Sequence, residues 1–285
     1  MPSYRELLNK GKCLLQAENI DNSEGDARSL MEYVWGIDRS YYFLHADDII
    51  EDSDKLKNYL DLLQKRSQHV PLQQLTGEAW FMGFPMKVNE HVLIPRWDTE
   101  VLAETALERL KKGDHLLDLC TGSACLAISL KLLGEELVVD ASDISQEALT
   151  IARANAEANH AEIRLLQSDL FEGISDRYDM IISNPPYIRR DVIPTLTEEI
   201  RCHEPHLALD GGEDGLGFYR RIIIQAPQQL QDGGWLGFEI GYDQGAALKD
   251  LLSEDIWTDV TVIKDLAGLD RVVWARYVYR RKDHV

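Results

Sequence analysis

From residue 115 onward, short apolar runs alternate with stretches of helical periodicity, and this alternation limits the chain to few folds. His115 to Leu119 reads as a strand, Cys120-Thr121-Gly122-Ser123-Ala124 as a tight turn and Cys125 to Leu133 as a helix. Leu137 to Ser142 gives a second strand closing at Asp143, followed by a helix from Gln146 to Asn159. Ile163 to Gln167 gives a third strand and Tyr178 to Ser183 a fourth. A helix over Gly215 to Leu230, a strand over Trp235 to Ile240 and a helix over Gln244 to Leu252 continue the pattern. Two last strands, Thr258 to Ile263 and Arg271 to Tyr279, are joined by too few residues for a crossover helix and are expected to be antiparallel. The expected class is α/β: a Rossmann-like, mostly parallel, doubly wound sheet whose last strand runs antiparallel.

The preceding residues differ in kind. Residues 1–71 carry apolar stripes at three- and four-residue steps and predict a small helical bundle. Leu7, Leu8, Leu14 and Leu15 mark a first helix. A second carries Leu30, Val34 and Ile37, with Asp26 as its cap. A short third holds Tyr41 to Leu44, and Asp52-Ser53-Asp54 opens a fourth; Pro71 is expected to end the bundle. Residues 72–94 switch to period two, and Gln74-Leu75-Thr76 with Phe81 to Val88 predict a linking hairpin. Residues 95–285 form the expected catalytic domain. Asp98 or Thr99 is expected to cap a helix through Leu102 and Ala106, and Arg96 fits either a surface ion pair or a ligand contact.

The chemistry gathers at strand ends. Asp118-x-Cys120-x-Gly122-x-Ala124 stands where a turn between strand and helix offers backbone N–H groups to an anionic group. Asp143 lies 21 residues beyond Gly122, where a carboxylate accepts from both hydroxyls of a ribose. Asp169 ends the third strand and can accept from an adenine amino group, with Leu170 covering the ring. An adenosine-bearing ligand follows, either a dinucleotide or S-adenosylmethionine. The turn has one glycine where a dinucleotide turn wants three, which favours the second.

The fourth strand runs into Asn184-Pro185-Pro186-Tyr187. Proline cannot continue a ladder, so this is either a plain strand-ending turn or a rigid pocket wall. As a wall it suits methyl transfer to a planar amine or amide, whose lone pair is delocalised. The Asn184 side-chain oxygen and the Pro185 carbonyl would hold both hydrogens and stabilise charge developing on nitrogen. Pro186 would stiffen the wall and Tyr187 would pack against the flat group.

Composition sets the outer limits. A net charge of −19 repels phosphate backbones and argues against a direct nucleic-acid partner. Cys13, Cys120, Cys125 and Cys202 show neither metal-ligand spacing nor disulfide density, so no metal site is expected. No apolar run reaches membrane-spanning length and the first residues open no signal stretch. A soluble, monomeric, cytoplasmic protein is the expectation.

Taken together, Ile94-Pro95-Arg96 with Thr99-Glu100, Asp118 to Ser123, Asp143-Ile144-Ser145, Ser168 to Phe171, Asn184 to Ile188, His203-Glu204-Pro205, Asp214-Gly215-Leu216 and Glu239-Ile240-Gly241 resemble the HemK/PrmC family of release-factor glutamine N5-methyltransferases. The resemblance implies methyl transfer from S-adenosylmethionine to the glutamine of the Gly-Gly-Gln loop of bacterial peptide-chain release factors, with the helical N-terminal domain recognising that substrate. By motif it implies cofactor contacts from Cys120, Thr121, Gly122, Ser123, Ala124, Asp143, Asp169, Leu170 and Asn184, and a glutamine pocket from Asn184, Pro185, Pro186 and Tyr187. Where this chain has Ala124 the family usually has glycine. The added methyl is expected to weaken cofactor binding, so that Ala124→Gly would tighten it. A sister enzyme acting on a ribosomal-protein glutamine and an adenine-N6 nucleic-acid methyltransferase share the wall and are the alternatives.

Overall fold

The structure, a computed structural model, describes residues 1–279; residues 280–285 of the expected catalytic domain lie outside it. The chain forms two compact units. Met1–Glu78 with Thr197–His203 make one, and Ala79–Leu196 with the residues from Glu204 onward make the other.

In the first unit, α1 (Tyr4–Ala17) opens on a capping box in which Ser3 and Glu6 satisfy each other's backbone N–H. Then come α2 (Ser23–Trp35), α3 (Arg39–His45), capped by Asp38, and α4 (Ser53–Ser67), capped by Asp52. The stripes close on a core of Leu7, Leu15, Leu30, Met31, Tyr59 and Leu63. Asp26 is not a cap. The helix starts at Ser23, which places Asp26 one turn inside, buried, with Oδ2 accepting from Arg66 Nε at 2.8 Å. Nor does Pro71 end the helices: it precedes a further short helix, α5 (Leu72–Thr76), where a strand was expected. Proline suits a helix start because its missing N–H would have no partner there. Leu72 and Leu75 then reach the bundle core, and Gly77, at φ +76, ends the turn.

The hairpin of the second unit is therefore β1 (Glu78–Phe81) and β2 (Phe84–Lys87). Next is α6 (Trp97–Leu107), whose first turn contains Asp98 and Thr99 instead of being capped by either. Asp98 faces Arg271 at 3.2 Å and Thr99 is buried. The alternating region follows: β3 (His115–Leu119), α7 (Cys125–Leu133), β4 (Val138–Asp143), α8 (Gln146–Ala158), β5 (Arg164–Gln167) and β6 (Tyr178–Ser183). After β6 the chain contributes α9 (Glu198–His203) to the helical unit, where Glu199 meets Arg66 Nη2 at 3.0 Å. It then returns for α10 (Gly217–Gln225), β7 (Leu230–Glu239), α11 (Gly245–Leu251), β8 (Trp257–Lys264) and β9 (Asp270–Tyr277).

The sheet order is β5-β4-β3-β6-β7-β9-β8. The first five strands are parallel, and β9 runs antiparallel to both its neighbours. One expectation fails in detail: the helix expected to reach Leu230 stops at Gln225. A turn containing Pro227 breaks it, and Leu230 already pairs with Tyr178. Gly233-Gly234 are absorbed where the register slips between Tyr178 and Met180, the usual place for glycine in a strand. Buried residues line both faces of the sheet, Ile128, Leu130 and Trp274 among those on one side and Tyr219, Ile222 and Phe238 among those on the other. Among the described residues no helix is long and apolar enough to cross a membrane.

Candidate active site

Chain order reverses between β3 and β6, and ligands of open α/β sheets bind at such a switch point, beyond the carboxyl ends of the strands. Register makes those ends level. Leu119 pairs with Ser142 on one side and Ser183 on the other, Asp143 pairs with Gln167, and Ser183 with Phe238. The next residues are thus brought to one edge: Cys120, Ile144, Ser168, Asn184 and Glu239. A cavity of about 270 Å³ opens there.

The turn after β3 is held in an unusual shape. Cys120, Gly122 and Ala124 have φ of +59, +55 and +63, and only one of them is the glycine that such angles favour. Each non-glycine left-handed residue costs about 1–2 kcal/mol, so the turn needs support. Thr121 N donates to Ser142 O at 3.0 Å, Thr121 Oγ1 to Asp118 Oδ2 at 2.5 Å, and Gly122 N to Asp143 Oδ2 at 2.9 Å. Asp143 Oδ1 accepts from Ser145 N at 2.9 Å. Asp143 therefore joins β3's turn to β4's end while lining the cavity. Burial raises its pKa, opposed by these N–H groups. Burial also pushes the Cys120 and Cys125 thiols up to about 12, so neither serves as a thiolate nucleophile at neutral pH.

Cys120, Thr121, Gly122, Ser123, Asp143, Asp169, Leu170, Asn184 and Pro186 all line the cavity. Three expected contacts are absent from the lining. Ala124 is fully buried in the core at the start of α7, with a left-handed backbone. Pro185 is buried, and Tyr187 stands behind the wall with its hydroxyl donating to Glu239 Oε1 at 3.1 Å. Asp169 lines the cavity but also holds Arg221 Nη2 at 2.8 Å. Arg96 borders the cavity and pairs with Glu204, whose side chain is buried, so the pair is not a surface one.

The wall is clamped from outside. Ile188 N donates to Leu209 O at 3.0 Å and Gly211 N to Ile188 O at 2.8 Å. A Cβ on Gly215 would meet Tyr187 O at 2.4 Å, and one on Gly211 would meet Tyr187 Cα at 2.7 Å. Gln244 Nε2 donates to Tyr187 O at 3.0 Å. The tetrapeptide is thus held by backbone packing and is no loose turn.

Sequence reasoning missed several lining residues. Ile144 and Leu207 are about half exposed yet border the cavity with Phe218, giving apolar surface for a flat ring. Their positions follow from register and from the α10 packing, neither of which periodicity displays. Glu239, outside the lining, ends the apolar run Trp235 to Phe238 and is buried, which is costly for a carboxylate without partners.

Family comparison completes the picture. Residues 97–213 match the methyltransferase small domain and residues 6–77 the PrmC N-terminal domain. A release factor glutamine methyltransferase of Clostridium botulinum is 38% identical over 279 residues, spanning 95% of this chain and 98% of that one. The chain belongs to the release factor glutamine methyltransferase family. The Bacillus subtilis member is 37% identical over 262 residues, 88% of this chain and 91% of its own. A solved methyltransferase of Pyrococcus furiosus covers 79% of this chain and 98% of its own at a TM-score of 0.53 and 20% identity, a likeness of fold.

Proposed function

We propose that this enzyme transfers the methyl group of S-adenosylmethionine to the side-chain amide nitrogen of the glutamine in the Gly-Gly-Gln motif of peptide-chain release factors. The observation that carries the reading is the alignment of Asn184 with Asp143 and the Cys120–Ser123 turn around one cavity. It draws support also from relatives named release factor glutamine methyltransferase.

The residues present fit the methyl donor. Asp143 has both oxygens fixed by N–H groups and retains lone pairs for ribose hydroxyls. Leu170, Ile144 and Phe218 give apolar cover for the adenine, and the Cys120–Ser123 turn borders the space for the amino-acid end. When bound, the donor supplies an electrophilic methyl on a sulfonium. The wall would do the rest: Asn184, which borders the cavity, would accept an amide hydrogen at Oδ1 and aim the nitrogen. A nitrogen held by Asn184 would face that methyl, and its acidified N–H would be free to pass a proton to water. No general base is needed.

Asn184 is oriented for this role. Its Nδ2 faces Thr99 Oγ1 at 3.4 Å, which leaves the oxygen as the acceptor for a target. The net charge of −19 favours a basic protein surface over a nucleic acid as the macromolecule approached. The helical unit is the proposed recognition surface, with Phe43 and Leu44 exposed on α3. The test is transfer of labelled methyl from S-adenosylmethionine to purified release factor, to its Gln→Ala loop variant and to a ribosomal-protein glutamine substrate. Label on the first alone is expected; equal label on the Gln→Ala variant, or label only on the ribosomal protein, contradicts the proposal.

A further inference from the structure

Behind the tetrapeptide lies a buried polar group that the transfer chemistry above does not use. Glu239 is 2% exposed and Thr99 3% exposed; Thr99 borders the cavity and Glu239 stands behind it. Ser183 pairs with Phe238, so Asn184 and Glu239 leave adjacent strands side by side, with Thr99 supplied by the first turn of α6. Thr99 Oγ1 faces Asn184 Nδ2 at 3.4 Å. Burial pushes the Glu239 carboxyl up, opposed by hydrogen bonding from Thr99 and Tyr187 and by the charge of Arg271, while Asp98 pushes the other way. Oε1 accepts from the Tyr187 hydroxyl, and Oε2 has no partner of ordinary geometry. The carboxylate thus has acceptor capacity to spare next to Asn184 on the neighbouring strand, and the Thr99 hydroxyl proton has two possible uses.

Hydrogen-bond polarity decides that use. An ionised carboxylate only accepts, and a threonine hydroxyl has one proton to give. If that proton goes to Glu239, Thr99 meets Asn184 with a lone pair, which selects Nδ2 over Oδ1. An asparagine amide can otherwise turn over with little cost in shape. Turned over, Asn184 would present N–H groups to an amide nitrogen whose hydrogens need acceptors.

We infer that Glu239, acting through Thr99, is a positioning residue that fixes the Asn184 amide with its oxygen toward the target nitrogen. The inference rests on the proposed glutamine methylation for its activity readout, and the fold constrains its geometry independently. Hydrogen bonds at such sites are commonly long before substrate binds and shorten in the reacting complex, in keeping with 3.4 Å here.

The experiment uses the full chain with Thr99→Val, Thr99→Ser and Glu239→Gln, assayed on release factor with S-adenosylmethionine. Valine keeps the shape and removes the hydroxyl; glutamine keeps the shape and can donate to Thr99, releasing its proton toward Asn184. Both are expected to lower kcat about ten- to a hundredfold while the cofactor Kd and the melting temperature stay near wild type. Thr99→Ser is expected to restore kcat. A Thr99→Val enzyme with wild-type kcat overturns the inference, as does a kcat loss that follows cofactor affinity or that serine fails to restore. Should the wild type methylate no release factor, the function falls but the relay is still decided. The Asn184 side-chain amide NMR signal, assigned by its loss in Asn184→Asp, is expected to shift in Thr99→Val and Glu239→Gln and to hold in Thr99→Ser. An unshifted signal overturns the relay.

Discussion

The helical unit ties its buried carboxylate to a guanidinium; the catalytic unit does the same at Asp140 with Arg164 and at Glu204 with Arg96, but not at the ends of its strands beside the tetrapeptide. In the helical unit Asp26 meets the Arg66 guanidinium at 2.8 Å, and Glu199 takes the other side of the same group at 3.0 Å. In the catalytic unit Asp118 meets a hydroxyl, Asp143 two backbone N–H groups and Glu239 the Tyr187 hydroxyl. A buried charge paired with its opposite is a structural tie. Buried carboxyls given only neutral donors carry raised pKa values and mark the place where a fold keeps polarity for use. Here they stand at the carboxyl ends of β3, β4 and β7, around the tetrapeptide.

The largest effect expected from breaking this contrast is on the catalytic side. Asn184→Ala should lower turnover about a hundred- to a thousandfold while leaving most of the cofactor affinity, since Asp143 and the turn remain. Near-normal turnover, measured under saturating release factor, would remove Asn184 from the chemistry. On the structural side, Arg66→Ala strands Asp26 and should destabilise the helical unit by about 3–5 kcal/mol. Denaturant unfolding of the full chain reads this, and a loss below 1 kcal/mol, about the worth of an exposed pair, would mean the pair is not the tie described.

A third test separates the two kinds of acid by pH. Burial raises Asp118 from its ordinary 3.8 to about 7, against the Thr121 hydroxyl that lowers it. Folded Asp118 therefore keeps its proton where the unfolded chain has lost it. Its contribution to stability is full below about pH 4, declines as pH rises to about 7, and is level beyond. Asp118→Asn should remove that decline, so the wild type loses stability relative to the variant across this window. Parallel stability curves for the two would show Asp118 ionised in the fold.

The smallest effect is at Ala124. Glycine would relieve about 1–2 kcal/mol of left-handed strain and forfeit about 0.8 kcal/mol of methyl burial. Ala124→Gly is thus expected to stabilise slightly and, because the methyl lies in the core, to leave the cofactor Kd unchanged in calorimetry. A clearly tighter Kd would return Ala124 to the cavity.

What the sequence displayed and what it hid follow the same division. The strands over His115–Leu119 and Tyr178–Ser183 were legible because buried parallel strands are written as local apolar runs. Asp143 and Asn184 were legible because each sits one step from such a run. Asp26 was misread because its partner lies 40 residues away, beyond any local pattern, and an acid near a helix start looks like a cap. Residues 72–76 were misread because period-two patterning over five residues is weaker than their packing on the bundle. The roles of Thr99 and Glu239 were hidden because they depend on register between β6 and β7, which only the folded sheet provides.

The central claim is that the strand-edge cavity delivers a methyl group to the side-chain nitrogen of one protein glutamine. Tandem mass spectrometry of release factor treated with the enzyme and isotope-labelled S-adenosylmethionine tests it most directly. A single labelled methyl on the side-chain nitrogen of the Gly-Gly-Gln glutamine is the predicted result. Label on another residue, or none with folded enzyme and cofactor bound, would contradict the account.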